Sequence, residues 1–292
     1  MRRLTLSIAG ETLFGADLTD VATDIDSAVA SAIPTVDGLV SIVASRRRAK
    51  AARRRLDAII NDVIARRRRD SASRDDLLSL LLEAQGADDE ATACQLRDDA
   101  VTFLLAGHDT IAHALTWTWT LLAANPEAEA RLQTEVADVV GDRLVSAQDV
   151  SRLAYTRSLL AEALRLFPPA WVIVRRAAQA HECGGHTIPS GSVVVASPFV
   201  THRDARFFPD PLAFSPERWL SPTERPRLAY FPFGAGPRSC IGEGFAWMEG
   251  TLVLATLAGR WRLKSGGGAV EPSPRITLRP RGPVPMVPVP VH

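Results

Sequence analysis

Apolar residues recur at helical spacing through the first half of the chain, and polar residues fill the positions between them. Pro34, the segment 86–90 and Pro126 interrupt this periodicity and divide it into separate helices. Ser73 or Asp75 is the expected N-cap of the third helix. The predicted helices cover residues 20–31, 39–69, 75–84, 92–124, 126–140 and 151–167.

The pattern changes after Pro168-Pro169, where short stretches bounded by glycine and proline replace the helical periodicity. The next segment, 204–238, is rich in proline, aromatic residues and arginine and has no regular period. Irregular segments of this length inside a compact domain are usually functional. The predicted strands are 172–176, 186–188 and 193–196, and one further helix covers 244–258.

These elements predict a mainly α protein with small β-sheets, and the length of the chain allows one large domain or two small ones. Its helical part covers residues 1–167, and a mixed part with strands and irregular segments covers residues 168–292. With 46% hydrophobic and 23% charged residues, a chain of 292 residues is typical of a globular protein with a sizeable core. The formal net charge of +1 provides no overall field that would attract nucleic acid.

The three cysteines, Cys94, Cys183 and Cys240, lie far apart and are odd in number. This argues against a disulfide framework and favours a reducing compartment. The N-terminal residues do not resemble a secretory signal, and no stretch of the sequence has the length and apolar character of a membrane span. A cytoplasmic protein without a membrane segment is therefore expected.

The predicted helix at 39–69 carries runs of arginine at 46–48, 53–55 and 66–69. Such runs can bind nucleic acid or anionic lipid, or they can form a solvated helix face. The near-neutral charge of the whole chain and the absence of an accompanying binding motif favour the solvated face. No nucleic-acid partner is expected.

The segment 233–242 contains the most specific chemical signal, the sequence F-G-A-G-P-R-S-C-I-G. Its glycines and proline form a tight loop whose backbone can approach a flat ligand closely. The loop ends just before a helix, where backbone N–H groups favour the thiolate form of Cys240. Arg238 adds a positive charge that can pair with a carboxylate. An inert cysteine in a turn is the alternative interpretation.

This segment resembles the haem-binding loop of the cytochrome P450 family, F-x-x-G-x-R-x-C-x-G, with every defined position matched. Three further motifs resemble signatures of that family and follow its order. They are the oxygen-activating helix motif Ala106-Gly107-His108-Asp109-Thr110, the E-x-x-R motif Glu162-Ala163-Leu164-Arg165, and the P-E-R-F motif, present as Pro216-Glu217-Arg218-Trp219.

The resemblance implies a haem-thiolate monooxygenase that inserts one atom of dioxygen into a small apolar organic substrate. Electrons would come from a ferredoxin- or flavin-type partner, and the cofactor would be haem b with Cys240 as the iron ligand. The composition, rich in alanine and arginine, suggests a bacterial source. The residues expected to contact the cofactor are Cys240, Arg238, Phe233, Gly234, Arg175, Ala106 and Gly107.

Asp109 and Thr110 are the expected catalytic residues, because an acid next to an alcohol is suited to relaying protons during oxygen activation. Thr110 can also bond a carbonyl one turn back and loosen the helix there. Phe103, Ala106, Trp171 and Val172 are the expected lining of the substrate pocket, although Trp171 and Val172 could equally be plain core.

Glu162 and Arg165 are one helical turn apart and can form an ion pair. As a surface pair it would stabilise the fold by less than about 1 kcal/mol. The resemblance implies instead a buried structural network that Arg218 joins.

The resemblance implies that residues 1–292 form a single, partial domain of this family, from which the N-terminal third of the family fold is expected to be absent. A second hypothesis is therefore a truncated, non-catalytic remnant that binds haem weakly or not at all. A haem-thiolate isomerase or dehydratase is a third, and the Asp109-Thr110 pair disfavours it.

Overall fold

A computed structural model describes residues 1–25, 39–70, 74–85, 90–221 and 224–291. These residues are mainly helical, with small antiparallel sheets after residue 172, which confirms the predicted fold class. The chain divides into two compact units, Met1–Ala112 and His113–His292. The single domain, with a helical part over residues 1–167 and a mixed part over residues 168–292, stays a prediction.

The first unit is formed by helices packed around one apolar core. Its helices are α1 (Arg2–Phe14), α2 (Leu39–Arg69), α3 (Leu77–Gln85) and the first part of α4 (Glu90–Ala124). The core includes the fully buried side chains of Leu6, Phe14, Ile25, Ile60, Leu78 and Leu104.

Arg67 shows that the arginine runs of α2 are not only a solvated face. Its guanidinium is buried, donates to both carboxylate oxygens of Asp76 at 2.7 Å, and donates to the Phe14 carbonyl at 2.8 Å. Asp76 also accepts the Ser79 N–H at 3.0 Å, so Asp76, rather than Asp75, caps α3. The alternative cap, Ser73, lies outside the described residues, as do Pro34, residues 86–89 and the second half of the predicted helix at 20–31.

In the described residues of the second unit, helices pack against four two-stranded antiparallel sheets. Its helices are the end of α4, α5 (Pro126–Val139), α6 (Ala154–Leu166), the short α7 (Pro198–Thr201) and α8 (Glu243–Ala258). Helix α6 is buried along almost its whole length. The Trp117 indole stacks on Phe167 at 4.0 Å between ring centroids and donates to the Leu278 carbonyl at 3.2 Å.

The strands pair in four separate hairpins or ribbons. The predicted strands at 186–188 and 193–196 have the expected bounds, the first begins one residue later than predicted, and β2 was not predicted. The pairs are β1 (Ile173–Arg176) with β4 (Val193–Ala196), β2 (His181–Cys183) with β3 (His186–Ile188), β5 (Trp261–Ser265) with β8 (Met286–Pro290), and β6 (Pro272–Pro274) with β7 (Leu278–Pro280).

Within the described part of the chain, none of the helices combines the length and the apolar character that crossing a membrane requires.

Candidate haem-binding site

The cysteine loop, residues 233–242, closes on itself through backbone hydrogen bonds. The Cys240 N–H donates to the Phe233 carbonyl at 2.8 Å, and the Ser239 N–H donates to the Gly236 carbonyl at 3.0 Å. Gly234 and Gly236 have φ values of 74° and 73°, a left-handed conformation that a Cβ would strain. The two glycines therefore set the path by which the loop brings Cys240 to the start of α8.

The thiol of Cys240 is free and exposed, like those of Cys94 and Cys183. Cys240 lies two residues before Gly242, the N-cap of α8, and a Cβ on Gly242 would lie 3.9 Å from the Cys240 sulfur. The Phe233 ring, at the other end of the loop, packs edge-on against Trp247 of α8 at 5.5 Å. The loop is thus fastened to the helix that follows it.

A buried ion network lies in the same unit, around the Glu162 carboxylate of α6. Glu162 and Arg165 have fully buried side chains and form a two-pronged pair, with distances of 2.8 Å and 2.9 Å. Arg218 donates its Nε–H to Glu162 at 3.0 Å, and the Ser215 N–H donates to the same oxygen at 3.0 Å. The structure therefore brings Glu162, Arg165 and Arg218 together.

The Arg165 guanidinium is satisfied at every nitrogen. Besides Glu162, it donates to the carbonyls of His202 at 2.9 Å, Pro211 at 2.6 Å and Ala213 at 2.9 Å. Two carbonyls of the irregular segment and the one at the C-terminal end of α7 are thus held by one side chain of α6. Because a buried charge that loses its partner is costly, this arrangement fixes the segment at that point.

Trp219 is a member of this network that the sequence analysis missed. Its indole N–H donates to the Glu162 carboxylate at 2.8 Å. The family motif has phenylalanine at this position, so the change to tryptophan adds a donor as well as keeping an aromatic ring. The change of residue type was visible in the sequence, but its hydrogen-bond partner was not.

His202 and Tyr230 were also missed. Nε2 of the buried His202 accepts the Phe231 N–H at 2.9 Å, and the Tyr230 hydroxyl donates to the Ala161 carbonyl at 3.0 Å. Burial lowers the pKa of His202 to about 3 and raises the pKa of Tyr230 well above its usual value. Both side chains are therefore neutral at physiological pH.

The predicted cofactor-facing positions of α4 lie in the first unit. Ala106 is exposed, and Phe103, Gly107 and Thr110 are half-buried. The Thr110 hydroxyl donates to the Ala106 carbonyl at 2.6 Å, the bond one turn back that was expected. Helix α4 nevertheless continues unbroken from Glu90 to Ala124, so the bond is not accompanied by a break in the helix. Phe103 packs against the core of this unit.

Asp109 faces a different direction from Thr110. Its carboxylate is buried and pairs with the Arg2 guanidinium of α1 at 2.5 Å. The neighbouring His108 is also buried, and its Nδ1 lies 3.0 Å from the Thr5 hydroxyl. Asp109 is thus held by α1 in an ion pair, a contact that the sequence analysis did not foresee.

The remaining predicted residues lie on or beside β1. The exposed Arg175 and Arg176 donate to the carbonyls of Val174 and Gly191, each at 2.9 Å, and alternate in direction along the strand. Trp171 is half-buried, as is Val172, and its indole N–H donates to the Arg275 carbonyl at 2.8 Å. Arg238 is exposed and makes no hydrogen bond or ion pair with the residues that the structure describes.

Both the side-chain chemistry of the cysteine loop and its open shape fit a haem. A cysteine thiolate is a soft ligand suited to iron, and an arginine two residues away can pair with a propionate carboxylate. A Cβ added to Gly236 would meet no heavy atom within 4 Å, so no side chain or backbone covers the loop there. The Cys240 thiol is itself exposed, so a flat group can approach its sulfur.

Comparison with known proteins gives a consistent result. Residues 27–284 match the cytochrome P450 family. Cyclooctatin synthase of Streptomyces melanosporofaciens is 40% identical to 99% of this chain, which corresponds to 66% of that protein. Cyclooctat-9-en-7-ol 5-monooxygenase of the same organism is 39% identical over 82% of this chain and 53% of the relative.

Pentalenene oxygenase of Streptomyces avermitilis is 38% identical over 72% of this chain and 47% of the relative. The chain thus spans between about half and two thirds of the length of these curated relatives. Both the breadth of the family match and the identity to these relatives establish common ancestry along nearly the whole sequence. The chain belongs to the cytochrome P450 family.

Proposed function

We propose that this chain is the haem-binding part of a monooxygenase that inserts one atom of dioxygen into a small apolar organic substrate. The observation that carries the proposal is the cysteine loop, which presents an exposed Cys240 thiol at the start of α8. Family membership supports it, as do two relatives named for oxygenating cyclooctat-9-en-7-ol and pentalenene. Electrons are proposed to come from a ferredoxin- or flavin-type protein.

Cys240 would lose its proton and bind the iron of haem b through its sulfur. The haem supplies the oxygen-activating redox chemistry, which a thiolate ligand favours. Arg238 and Arg175 would each neutralise one propionate carboxylate, since both guanidinium groups are exposed and Arg238 has no acidic partner among the described residues. Phe233 and Gly234 would contact the cofactor from the cysteine loop.

Thr110 and Asp109, which both lie on α4, would relay protons. The Thr110 hydroxyl donates to the Ala106 carbonyl, which leaves its oxygen lone pairs available to accept from water or to pass a proton on. Asp109, held by Arg2, would act as the acid that feeds this hydroxyl after a rearrangement of its ion pair. The small residues Ala106 and Gly107 would let a flat cofactor approach that stretch of helix; Ala106 is exposed, whereas a Cβ on Gly107 would lie 3.3 Å from Leu13.

The experiment uses the purified chain loaded with haem, a ferredoxin and its reductase as electron donors, and pentalenene and cyclooctat-9-en-7-ol as the probe substrates. With isotopically labelled dioxygen, we expect products carrying one labelled oxygen atom. A haem-loaded chain that consumes electrons but incorporates no labelled oxygen into pentalenene or cyclooctat-9-en-7-ol would contradict the proposed activity. Failure to bind haem would favour the non-catalytic alternative.

Thr110→Ala should keep electron consumption but lower product formation several-fold, because the proton relay is lost and reduced oxygen is released unproductively. Thr102→Ala is the matched control. Thr102 lies on the same helix and makes the same bond one turn back, to the Asp98 carbonyl at 2.7 Å, but it is exposed and outside the predicted site. If both variants formed the same amount of product per electron consumed, Thr110 would have no role in the mechanism.

A further inference from the structure

His202 lies where three segments of the second unit meet, and its side chain is fully buried. Its own carbonyl accepts from Arg165 of the ion network at 2.9 Å. Its ring nitrogen Nε2 accepts the Phe231 N–H at 2.9 Å. One residue thus contacts the ion network through its backbone and the approach to the cysteine loop through its side chain.

We infer that His202 is a positioning residue for Cys240, because its ring nitrogen fixes the backbone of the segment that leads into the cysteine loop. The inference rests on the proposed function, in which Cys240 is the iron ligand. His202 does not touch the thiol. It acts through Phe231 and the loop backbone.

The connection from His202 to Cys240 is a short series of backbone hydrogen bonds. Phe231 gives its N–H to His202, and its carbonyl accepts the Gly234 N–H at 3.0 Å. The next bond closes the loop, since the Phe233 carbonyl accepts the Cys240 N–H at 2.8 Å. Loss of the first bond would therefore free the turn whose carbonyl anchors Cys240.

The direction of the hydrogen bond determines the form of the ring. Because Nε2 accepts from an amide, the ring must be neutral and carry its proton on Nδ1. Nδ1 is buried and has no hydrogen-bond partner among the described residues. Protonation of Nε2 would turn the acceptor into a donor facing the Phe231 N–H.

The surroundings of the ring keep it in this neutral form. Burial is the main cause of its lowered pKa, and the cations of Arg165 and Arg203 add to it. Tyr230, tilted against the ring at 5.0 Å, is neutral itself, and Phe208 and Phe231 complete the packing. The contacts with these aromatic rings could be made by any flat or branched apolar side chain. Only the Phe231 bond requires a nitrogen or oxygen acceptor.

The test compares His202→Leu, which removes the acceptor, with His202→Gln, whose side-chain oxygen can accept at a similar reach. Amide hydrogen exchange is measured residue by residue on the full chain without haem. In the leucine variant we expect at least ten-fold faster exchange at Phe231 and Cys240. The Leu278 amide, which donates to the Pro169 carbonyl at 2.9 Å, should be unchanged and serves as the internal control. Glutamine should restore most of the protection.

A second readout uses the haem-loaded protein and follows the thiolate-type absorption of its reduced carbon monoxide complex against pH. The folded state requires a neutral His202, with a pKa of about 3 against 6.5 in the unfolded chain. The stabilising contribution of His202 is present above pH 6.5 and is lost as the pH falls below it. Wild type should therefore lose the thiolate signal more steeply between pH 6.5 and 4 than His202→Gln does.

Unchanged exchange at Phe231 and Cys240 in His202→Leu would overturn the inference. A uniform increase that includes Leu278 and is not rescued by glutamine would also overturn it, since it would indicate lost packing alone. The exchange arm needs no haem. A chain that fails to bind haem would therefore reject the proposed function and leave the His202 inference to be decided by exchange.

Discussion

Trp219 replaces the phenylalanine of the family motif and donates its indole N–H to the buried Glu162 carboxylate at 2.8 Å. Trp219→Phe would keep the aromatic contacts but leave the Glu162 carboxylate with one hydrogen-bond donor fewer. Since hydrogen bonds to a charged group contribute about 1.5–3 kcal/mol, we expect the free energy of unfolding to fall by about that amount. Chemical denaturation of the two proteins measures it.

Trp261→Phe is the control for a loss of indole volume, because Trp261 lies at an exposed end of β5. We expect that variant to change stability by less than about 0.5 kcal/mol. Equal stability of Trp219→Phe and wild type would mean that the indole bond contributes nothing net to the network.

Glu249 is a buried carboxyl of α8, and neither of its oxygens has a hydrogen-bond partner among the described residues. Burial raises its pKa to about 8, so the folded protein holds this proton at neutral pH. The unfolded chain releases it near pH 4.5. Stability is therefore expected to fall as the pH rises from 4.5 towards 8, because only the unfolded state gains from deprotonation there.

Glu249→Gln should remove this pH dependence and exceed wild type in stability at pH 8 by roughly 2–4 kcal/mol, with a much smaller difference at pH 5. Thermal or urea unfolding at the two pH values measures the difference. Glu243→Gln, an exposed position on the same helix, should show no such pH-dependent gain. A constant offset between Glu249→Gln and wild type at both pH values would show that the carboxyl is charged in the folded state.

Side-chain contacts of this kind could not be predicted from the sequence. The spacing of Glu162 and Arg165 on one helix predicted their ion pair, and the family motif that contains Arg218 predicted that Arg218 joins it. Trp219 and His202 join them from positions more than thirty residues away along the chain, through bonds that depend on where the irregular segment folds. No local periodicity encodes such a position.

At the level of elements, the helical periodicity predicted most of the helices and their ends closely. The prediction for α2 was residues 39–69, and the structure has Leu39–Arg69. Helix α4 begins two residues earlier than predicted and ends where predicted, at Ala124 before Pro126. The errors arise where tertiary contacts determine the end of a helix. Helix α3 is an example, because Arg67 holds the carboxylate of Asp76 and Asp76 caps the helix.

The cysteine loop depends on the backbone conformation of Gly236, whose φ is 73°. A Cβ there meets no heavy atom within 4 Å, so the cost of Gly236→Ala is backbone strain alone, about 1–2 kcal/mol. We expect lower thermal stability of the loop and weaker haem retention, measured by haem transfer to an acceptor protein.

Gly244→Ala is the matched control for that loop variant. Gly244 lies inside α8 and also has open space around its Cα, but its backbone is helical. Alanine there should be neutral or should stabilise the protein by up to about 1 kcal/mol. If both alanine variants retained haem equally well, the left-handed turn at Gly236 would not be needed for the site.

At the level of the whole molecule, the sequence sufficed to identify the family because four motifs occur in one chain in a fixed order, and the family match over residues 27–284 confirms it. The chain spans about half to two thirds of the length of its curated relatives. Haem titration of the purified chain therefore measures how tightly these residues alone hold the cofactor.

The absorption spectrum of the reduced, carbon monoxide-bound protein tests the role of Cys240 most directly. We predict a red-shifted Soret band typical of thiolate ligation in the wild-type chain and in Cys183→Ser, which alters another exposed cysteine. Cys240→Ser should lose that band. Absence of the band from a haem-loaded wild-type chain, or its persistence in Cys240→Ser, would show that Cys240 is not the iron ligand.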